Sequence, residues 1–316
     1  MKNRAELTTQ QIVILIILIA SFAIILFLLF RLNLGKETNS ELCRNSVILR
    51  GKSILPTEAT ELKCYRSYKC LTYDGSCEGL NNPEIVKVKT TDEIYKELSG
   101  EMANCWWMFG EGKINYLSGG NLAKDNYCSQ CSQILFDDSL KEIQGLEDGK
   151  INKDNLYYDY LGKNNVPYAK STYLEYLFGA NDVGKFKQSV KTQFGTENFG
   201  EIEIGKKFFV VTGITSEVSH SAWIGGGATA GGIIGIIGVA SNPVGWTAGA
   251  IVLGAIALGS VGGELGAQIG DLQNPEIGAV ITQGRGIDNK LMAPTIIEAD
   301  SDKFKALNCE EILTLG

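Results

Sequence analysis

The chain has 316 residues, and its 29 Lys and Arg against 36 Asp and Glu give a formal net charge of −7. The length allows one large domain or two ordinary ones, and the negative balance excludes nucleic acid as the main partner, since a phosphate backbone requires a basic surface. The single histidine, His220, excludes His-rich metal sites and leaves one residue for any Ser-His or Cys-His pair.

The first apolar segment predicts a membrane anchor. Residues 11–30 read QIVILIILIASFAIILFLLF and carry no charge. At about 1.5 Å per residue such a helix covers roughly 30 Å, the thickness of the hydrocarbon core of a bilayer. The run exceeds the roughly 7–15 apolar residues of a cleaved signal peptide, and no small-residue cleavage site follows it. We therefore expect a cytoplasmic tail at 1–10 and an uncleaved transmembrane anchor at 11–31, with a pilin-type signal or a buried helix as alternatives.

The cysteines indicate on which side the rest of the chain lies. Basic residues flank the anchor on both sides and do not orient it. All eight cysteines follow the anchor, which is typical of an oxidising compartment. We expect a cell-membrane protein with a cytoplasmic N-terminus and an extracytoplasmic bulk. The disulfide candidates, with 105 possible pairings left open, are Cys43, Cys64, Cys70, Cys77, Cys105, Cys128, Cys131 and Cys309.

A polar stalk at 32–40 leads into a Cys-rich region at 41–218, which predicts an α+β ectodomain. Residues 46–50 and 84–90 alternate and 206–212 are strongly apolar, so all three predict strands. Thr91 and Asp92 begin a helix whose apolar positions recur every three or four residues. These positions are Ile94, Leu98, Met102, Cys105 and Phe109.

Aromatic residues mark further elements of this region. The tyrosine-rich stretches at 152–161 and 171–178 predict helices. Trp106 and Trp107 are interpreted as core aromatics, with a membrane-interface or glycan-stacking surface as the alternative.

The second apolar segment, 219–270, predicts a hydrophobic helical hairpin. Its arms, 222–240 and 245–261, would measure about 28 Å and 26 Å as helices, and Asn242 and Pro243 mark the turn. Glycines spaced by four residues share one helix face and allow close packing of helices in lipid. These glycines are Gly227, Gly231, Gly235, Gly262, Gly266 and Gly270.

Two resemblances follow from these residues. GGGATAGGIIGIIG (225–238), SNPVG (241–245) and GSVGGELGAQIG (259–270) resemble the glycine-zipper helical hairpins of membrane-inserting proteins. The anchor with its LTTQQIV entry (7–13) resembles those of uncharacterised archaeal membrane-anchored surface proteins. The first resemblance implies a hairpin embedded in the membrane, inserted into a target membrane on activation, or buried in the protein or a homo-oligomer.

Residues 271–316 predict two strands, at 277–282 and 294–299, and a final helix at 302–313. Two strands and one helix cannot form an independent core. We therefore expect this segment to pack on residues 41–218.

Signals for chemistry are few. Cys128 and Cys131 form a C-x-x-C that fits structural disulfides, a zinc site or a redox pair. Residues 225–230 match a dinucleotide-binding pattern but lack the leading strand and the following acidic residue. His220 fits an interfacial polar residue or a pH trigger. The acidic stretch 147–154 lacks EF-hand spacing. We predict no catalytic residue, metal or cofactor.

The sequence as a whole predicts a structural or interaction protein of the cell envelope, not an enzyme. Its expected partners are the lipid bilayer and a second copy of the chain through the hairpin, while no protein partner can be named. The alternatives are a pore-forming or membrane-perturbing effector that inserts the hairpin, and an extracytoplasmic thiol oxidoreductase that uses Cys128 and Cys131.

Overall fold

The structure is a computed structural model, and the chain divides into one unit at 1–38 and another at 39–316. The residues that it describes are 9–31, 38–52, 61–117, 126–194, 197–215, 234–239, 276–283, 290–305, 307, 309 and 311–315.

The first unit contains helix α1 (Thr9–Arg31). The side chains at 12–25 are exposed along its whole circumference. Within the described residues, no helix combines the length and the apolar character that crossing a membrane requires. The transmembrane anchor at 11–31 therefore finds no support here and stays a prediction.

The second unit is a disulfide-braced α+β structure, which confirms the expected fold class at this level. Its helices are α2 (Asn39–Lys52), α3 (Thr91–Met108), a 3₁₀ helix (Asp138–Glu142), a π-helix (Asn155–Tyr160), α4 (Leu161–Lys163), α5 (Tyr173–Phe178), α6 (Val183–Phe194) and α7 (Asp302–Lys305). Its strands are β1 (Ser67–Thr72), β2 (Glu84–Lys87), β3 (Asn126–Phe136), β4 (Lys150–Asn152), β5 (Glu201–Glu203), β6 (Lys207–Thr215), β7 (Ile234–Val239), β8 (Glu276–Gln283), β9 (Lys290–Glu298) and β10 (Glu311–Ile312).

The described strands form one large mixed sheet and one small two-stranded sheet. The large sheet has the order β2-β1-β3-β6-β9-β8-β7, and β10 pairs with the first residues of β3. β1 is parallel to β2 and β3, whereas β6 is antiparallel to both β3 and β9. β4 and β5 pair separately. The C-terminal strands β9 and β10 thus complete a sheet that residues 67–215 begin, so the C-terminal segment packs on the earlier region.

Helix α3 forms where its sequence predicts it. The Thr90 side chain accepts a hydrogen bond from the backbone N–H of Glu93 at 3.2 Å and satisfies one donor that the helix start leaves unpaired. The expected apolar face is buried, with Ile94, Leu98 and Met102 at 0 % exposure. The helix packs against β6, β9, α2 and α5. It therefore covers one face of the large sheet and forms the centre of the main core.

The prediction of a helix over 222–240 is wrong at the residues that the structure describes there. Ile234–Val239 form β7, which pairs in parallel with β8. Four of these six residues are β-branched and the other two are glycines, one of which is Gly235. β-Branched residues favour extended backbone, and each glycine costs a helix about 1 kcal/mol relative to alanine, so strand pairing wins here.

Two shorter predictions also fail. Residues 46–50 alternate like a strand but belong to α2, because Cys43 and Val47, four residues apart, are buried on one helix face. The final helix ends at Lys305, and residues 311–312 form β10 instead. The strand gains backbone hydrogen bonds with β3, which a continued helix would forgo.

A candidate ligand-binding cleft braced by disulfides

All eight cysteines form disulfides, which confirms the role predicted for them. The pairs are Cys43–Cys64, Cys70–Cys77, Cys105–Cys131 and Cys128–Cys309. Cys105–Cys131 connects α3 to β3, and Cys128–Cys309 connects the C-terminal segment to the same strand. These two disulfides thus fix β3 on both sides of the sheet.

The two cysteines of the C-x-x-C do not pair with each other. Cys131 lies in the main core with Cys105, whereas Cys128 lies in the smaller core on the other side with Cys309. In a strand, side chains three residues apart point to opposite faces, so this motif on β3 separates its two sulfurs. Because Cys128 and Cys131 each form a disulfide with a cysteine outside the motif, neither the redox pair nor the zinc site is formed.

Most residues predicted for the hairpin lie outside the described residues. These are Gly227, Gly231, Gly262, Gly266, Gly270, Asn242, Pro243 and the nearby His220. Gly235 is described and lies in β7. Trp106 is 5 % exposed in the main core, and Trp107 lies partly buried beneath the Arg44 guanidinium at 4.5 Å, in agreement with core aromatics.

A polar cleft of about 660 Å³ opens on the second unit. This volume falls within the range of about 300–1,000 Å³ that small-molecule sites occupy. Its lining residues belong to four regions: the start of α3, the loop before β4, the β4–β5 sheet, and the π-helix with α4 and the residue after it. They include Asp92, Tyr95, Gln144, Asp148, Lys150, Asn152, Asn155, Asp159, Tyr160, Lys163, Asn164 and Glu201.

The π-helix supplies one wall of the cleft. Asn155, Asp159 and Tyr160 line it, while Leu156, Tyr157 and Tyr158 of the same helix are buried in the core. Tyr157 stacks on Phe199 with ring centroids 3.9 Å apart, so the buried face holds the helix firmly. π-Helices are rare and often occur at functional sites, because the wider turn redirects side chains.

Ion pairs within the lining fix its charged groups. Lys150 Nζ lies 2.6 Å from Glu201 Oε2, and Lys163 Nζ lies 2.9 Å from Asp159 Oδ1. The hydrogen bond and the charge of Glu201 raise the pKa of Lys150. Carboxylates outnumber ammonium groups in the lining by four to two, so the cleft disfavours anions.

Tyr95 and Tyr160 both line the cleft. Their ring centroids lie 5.9 Å apart, and the Tyr95 hydroxyl donates to the carbonyl of Asn152 at 2.9 Å. Burial raises the pKa of Tyr95 to about 12 and also raises the pKa of Tyr160. Both hydroxyls are protonated at neutral pH, and that of Tyr95 already donates its proton to Asn152.

The acidic stretch beside the cleft has a structural role. Asp148 Oδ1 accepts from the backbone N–H of Lys150 at 3.0 Å, and Asp154 Oδ1 accepts from that of Phe199 at 2.6 Å. Asp148 thus caps the turn before β4, and Asp154 connects the end of β4 to the segment before β5. In the part of the chain that the structure describes, no three His, Cys, Asp or Glu side chains gather as a metal site.

Sequence reasoning missed the cleft. The sole local signal is the richness of residues 152–164 in Asn, Asp and Tyr. Comparisons of this chain with protein-family models, with curated proteins and with solved structures find no match. Its function is therefore inferred from the cleft and the disulfides themselves.

Proposed function

We propose that this protein is an extracytoplasmic binding protein of the cell envelope, held at the membrane by residues 11–31. The folded unit at 39–316 faces the outside and acts by binding a ligand in the cleft, without catalysis.

The four disulfides are the observation that carries this proposal. Cytosolic thiols are kept reduced, so a chain with every cysteine paired in the folded unit belongs to an oxidising compartment. The cystines hold α2, α3, β1, β3 and the C-terminal segment, which suits a structural role better than a redox cycle.

The properties of α1 support attachment to a membrane. Its described apolar side chains are largely exposed, for example Ile17 at 62 % and Phe22 at 62 %. Residues 11–30 of this helix carry no charge and form no polar face, which is unfavourable in water, and a bilayer provides apolar surroundings for them. The anchor alone makes the lipid contact proposed here, because the helical form of the hairpin is contradicted at 234–239.

Sidedness is tested with single reporter cysteines and a membrane-impermeant maleimide. Lys170 is exposed in the folded unit and Lys2 precedes the anchor. We expect Lys170→Cys to be labelled in intact cells and Lys2→Cys only after lysis. The native cysteines are expected to react only after reduction. Labelling of Lys170→Cys only after lysis would refute an extracytoplasmic folded unit.

Attachment is tested by extraction with alkaline carbonate. The full chain is expected to stay in the membrane pellet, and a variant that lacks residues 11–31 is expected in the supernatant. Release of the full chain would contradict the anchor, and retention of the deletion variant would assign membrane attachment to another segment.

A further inference from the structure

The polar lining of the cleft restricts which ligand it takes. Leu146 is the one aliphatic side chain among the lining residues, and it is buried, so an apolar ligand gains little there. The lining combines carboxylate acceptors, ammonium donors and four amide side chains that both donate and accept. Such a mixture suits a ligand whose own groups both donate and accept hydrogen bonds.

Charge excludes anionic ligands from the cleft. A helix start usually attracts anions, and α3 begins at the cleft with Thr91 and Asp92. Here, however, Asp92 places a carboxylate on that helix start, and Asp148 adds another to the same cleft. Phosphates and uronates would meet this charge at close range.

Two of the four carboxylates in the lining are already paired. Lys150 and Lys163 lie in the lining and already occupy the carboxylates of Glu201 and Asp159. A cationic ligand would have to displace these ammonium groups or contact Asp92 and Asp148 instead. A neutral molecule can instead accept from the lysines and donate to the carboxylates without breaking either pair.

The half-buried ring of Tyr160 adds a flat apolar surface to this polar lining. Tyrosine combines such a surface with a polar hydroxyl, and sugars likewise present C–H faces edged by hydroxyl groups. We infer that the cleft binds a neutral carbohydrate. This inference rests on the proposed function, because an extracytoplasmic binding protein meets glycans at the cell surface.

The test is calorimetric titration of the purified full chain in detergent. The probes are neutral oligosaccharides of hexose and of N-acetylhexosamine, an oligouronate and spermidine. We expect saturable binding of at least one neutral oligosaccharide, tighter than the binding of spermidine, and no binding of the oligouronate. Absence of saturable binding across the neutral set, or tighter binding of a charged probe than of every neutral one, overturns the inference.

Variants assign the binding to the cleft. Asn155→Ala removes one amide and should weaken binding about threefold to tenfold, the usual effect of one lost hydrogen bond. Tyr160→Ala should weaken it about tenfold or more, whereas Tyr160→Phe keeps the ring and should retain most of the affinity. Asn45→Ala, an exposed position on α2 outside the lining, is the matched control and should change affinity less than twofold.

The variants test the site of binding separately from the identity of the ligand. Unchanged affinity in both Asn155→Ala and Tyr160→Ala refutes the cleft as the site. If Tyr160→Ala does not fold, the affinity of Asn155→Ala alone decides whether the cleft is the site. Binding by the purified chain is independent of sidedness, so the maleimide result can fail while carbohydrate binding holds, and the reverse.

Discussion

Asp74 follows the end of β1 and is held by a group of short hydrogen bonds. The Ser76 hydroxyl donates to its carboxylate at 2.6 Å and the Ser76 backbone N–H donates at 2.7 Å. The Thr72 hydroxyl donates to the same oxygen at 3.0 Å. These donors, that of the Ser76 side chain first, lower the pKa of Asp74 to about 2. Donors aimed at a carboxylate favour its charged form.

This arrangement predicts a pH dependence. Because the folded-state pKa of Asp74 lies below its ordinary value, its contribution to stability is present above about pH 4. That contribution is lost as the pH falls towards 2, where the carboxyl group becomes protonated. A carbon-detected NMR titration of the Asp74 carboxyl group should therefore give a midpoint near pH 2.

Ser76→Ala provides the control for this prediction. Removing the hydroxyl should raise the pKa of Asp74 towards its ordinary value, while Ser189→Ala on α6 should leave the midpoint unchanged. If Asp74 titrates at its ordinary value in the unmodified chain, the hydrogen-bond arrangement after β1 is wrong.

At the scale of secondary-structure elements, two glycines show how backbone conformation determines the effect of a substitution on stability. Gly100 lies in the interior of α3, and a Cβ built there has no atom within 4 Å. Gly145 has equally open space but a φ of +88°. Gly100→Ala should raise the free energy of unfolding by about 0.5–1 kcal/mol, because alanine favours helix. Gly145→Ala should lower it by about 1 kcal/mol, because alanine is strained at positive φ.

Chemical denaturation of both variants measures the two effects with opposite signs. Since neither substitution meets a neighbouring atom, packing contributes little to either value. A loss of stability in Gly100→Ala would contradict the helical geometry of α3, and an unchanged stability in Gly145→Ala would contradict the left-handed turn.

The elements that the sequence predicts best are those whose local signals agree with each other. In α3, the Thr90 cap and the spacing of Ile94, Leu98 and Met102 indicate the same helix. In α2 the signals conflict, since residues 46–50 alternate while burial follows the spacing of Cys43 and Val47. That burial depends on packing against α3, which the local pattern does not contain.

The cleft belongs to the whole molecule, and this explains why the sequence does not reveal it. Asp92, Asp148 and Asp159 are brought together by separate elements, and Glu201 joins them through the pairing of β4 with β5. No spacing rule connects residues that far apart in the chain. The oxidation of the cysteines was predictable from their number and position, but their pairing depends on the faces of β3 that Cys128 and Cys131 occupy.

The disulfides also predict how the whole fold responds to their removal. Cys128–Cys309 joins residues 181 apart, whereas Cys70–Cys77 joins residues 7 apart. If a cross-link acts by restricting the unfolded chain, the first should stabilise the fold by about 5 kcal/mol and the second by about 2 kcal/mol. Cys128 and Cys70 are both fully buried, so alanine at these positions leaves comparable cavities.

Denaturant unfolding of Cys128→Ala/Cys309→Ala and of Cys70→Ala/Cys77→Ala in the full chain tests this order. The first double variant should lose more stability, because the C-terminal segment then loses its covalent link to β3 and is held by noncovalent contacts such as the pairing of β9 with β6 and of β10 with β3. Equal losses of stability in the two double variants would mean that contacts between these strands persist in the unfolded chain and restrict it without the disulfide. A larger loss from the short-loop pair would instead show that local constraint after β1, where Asp74 and Ser76 lie, contributes more than closure of the long loop.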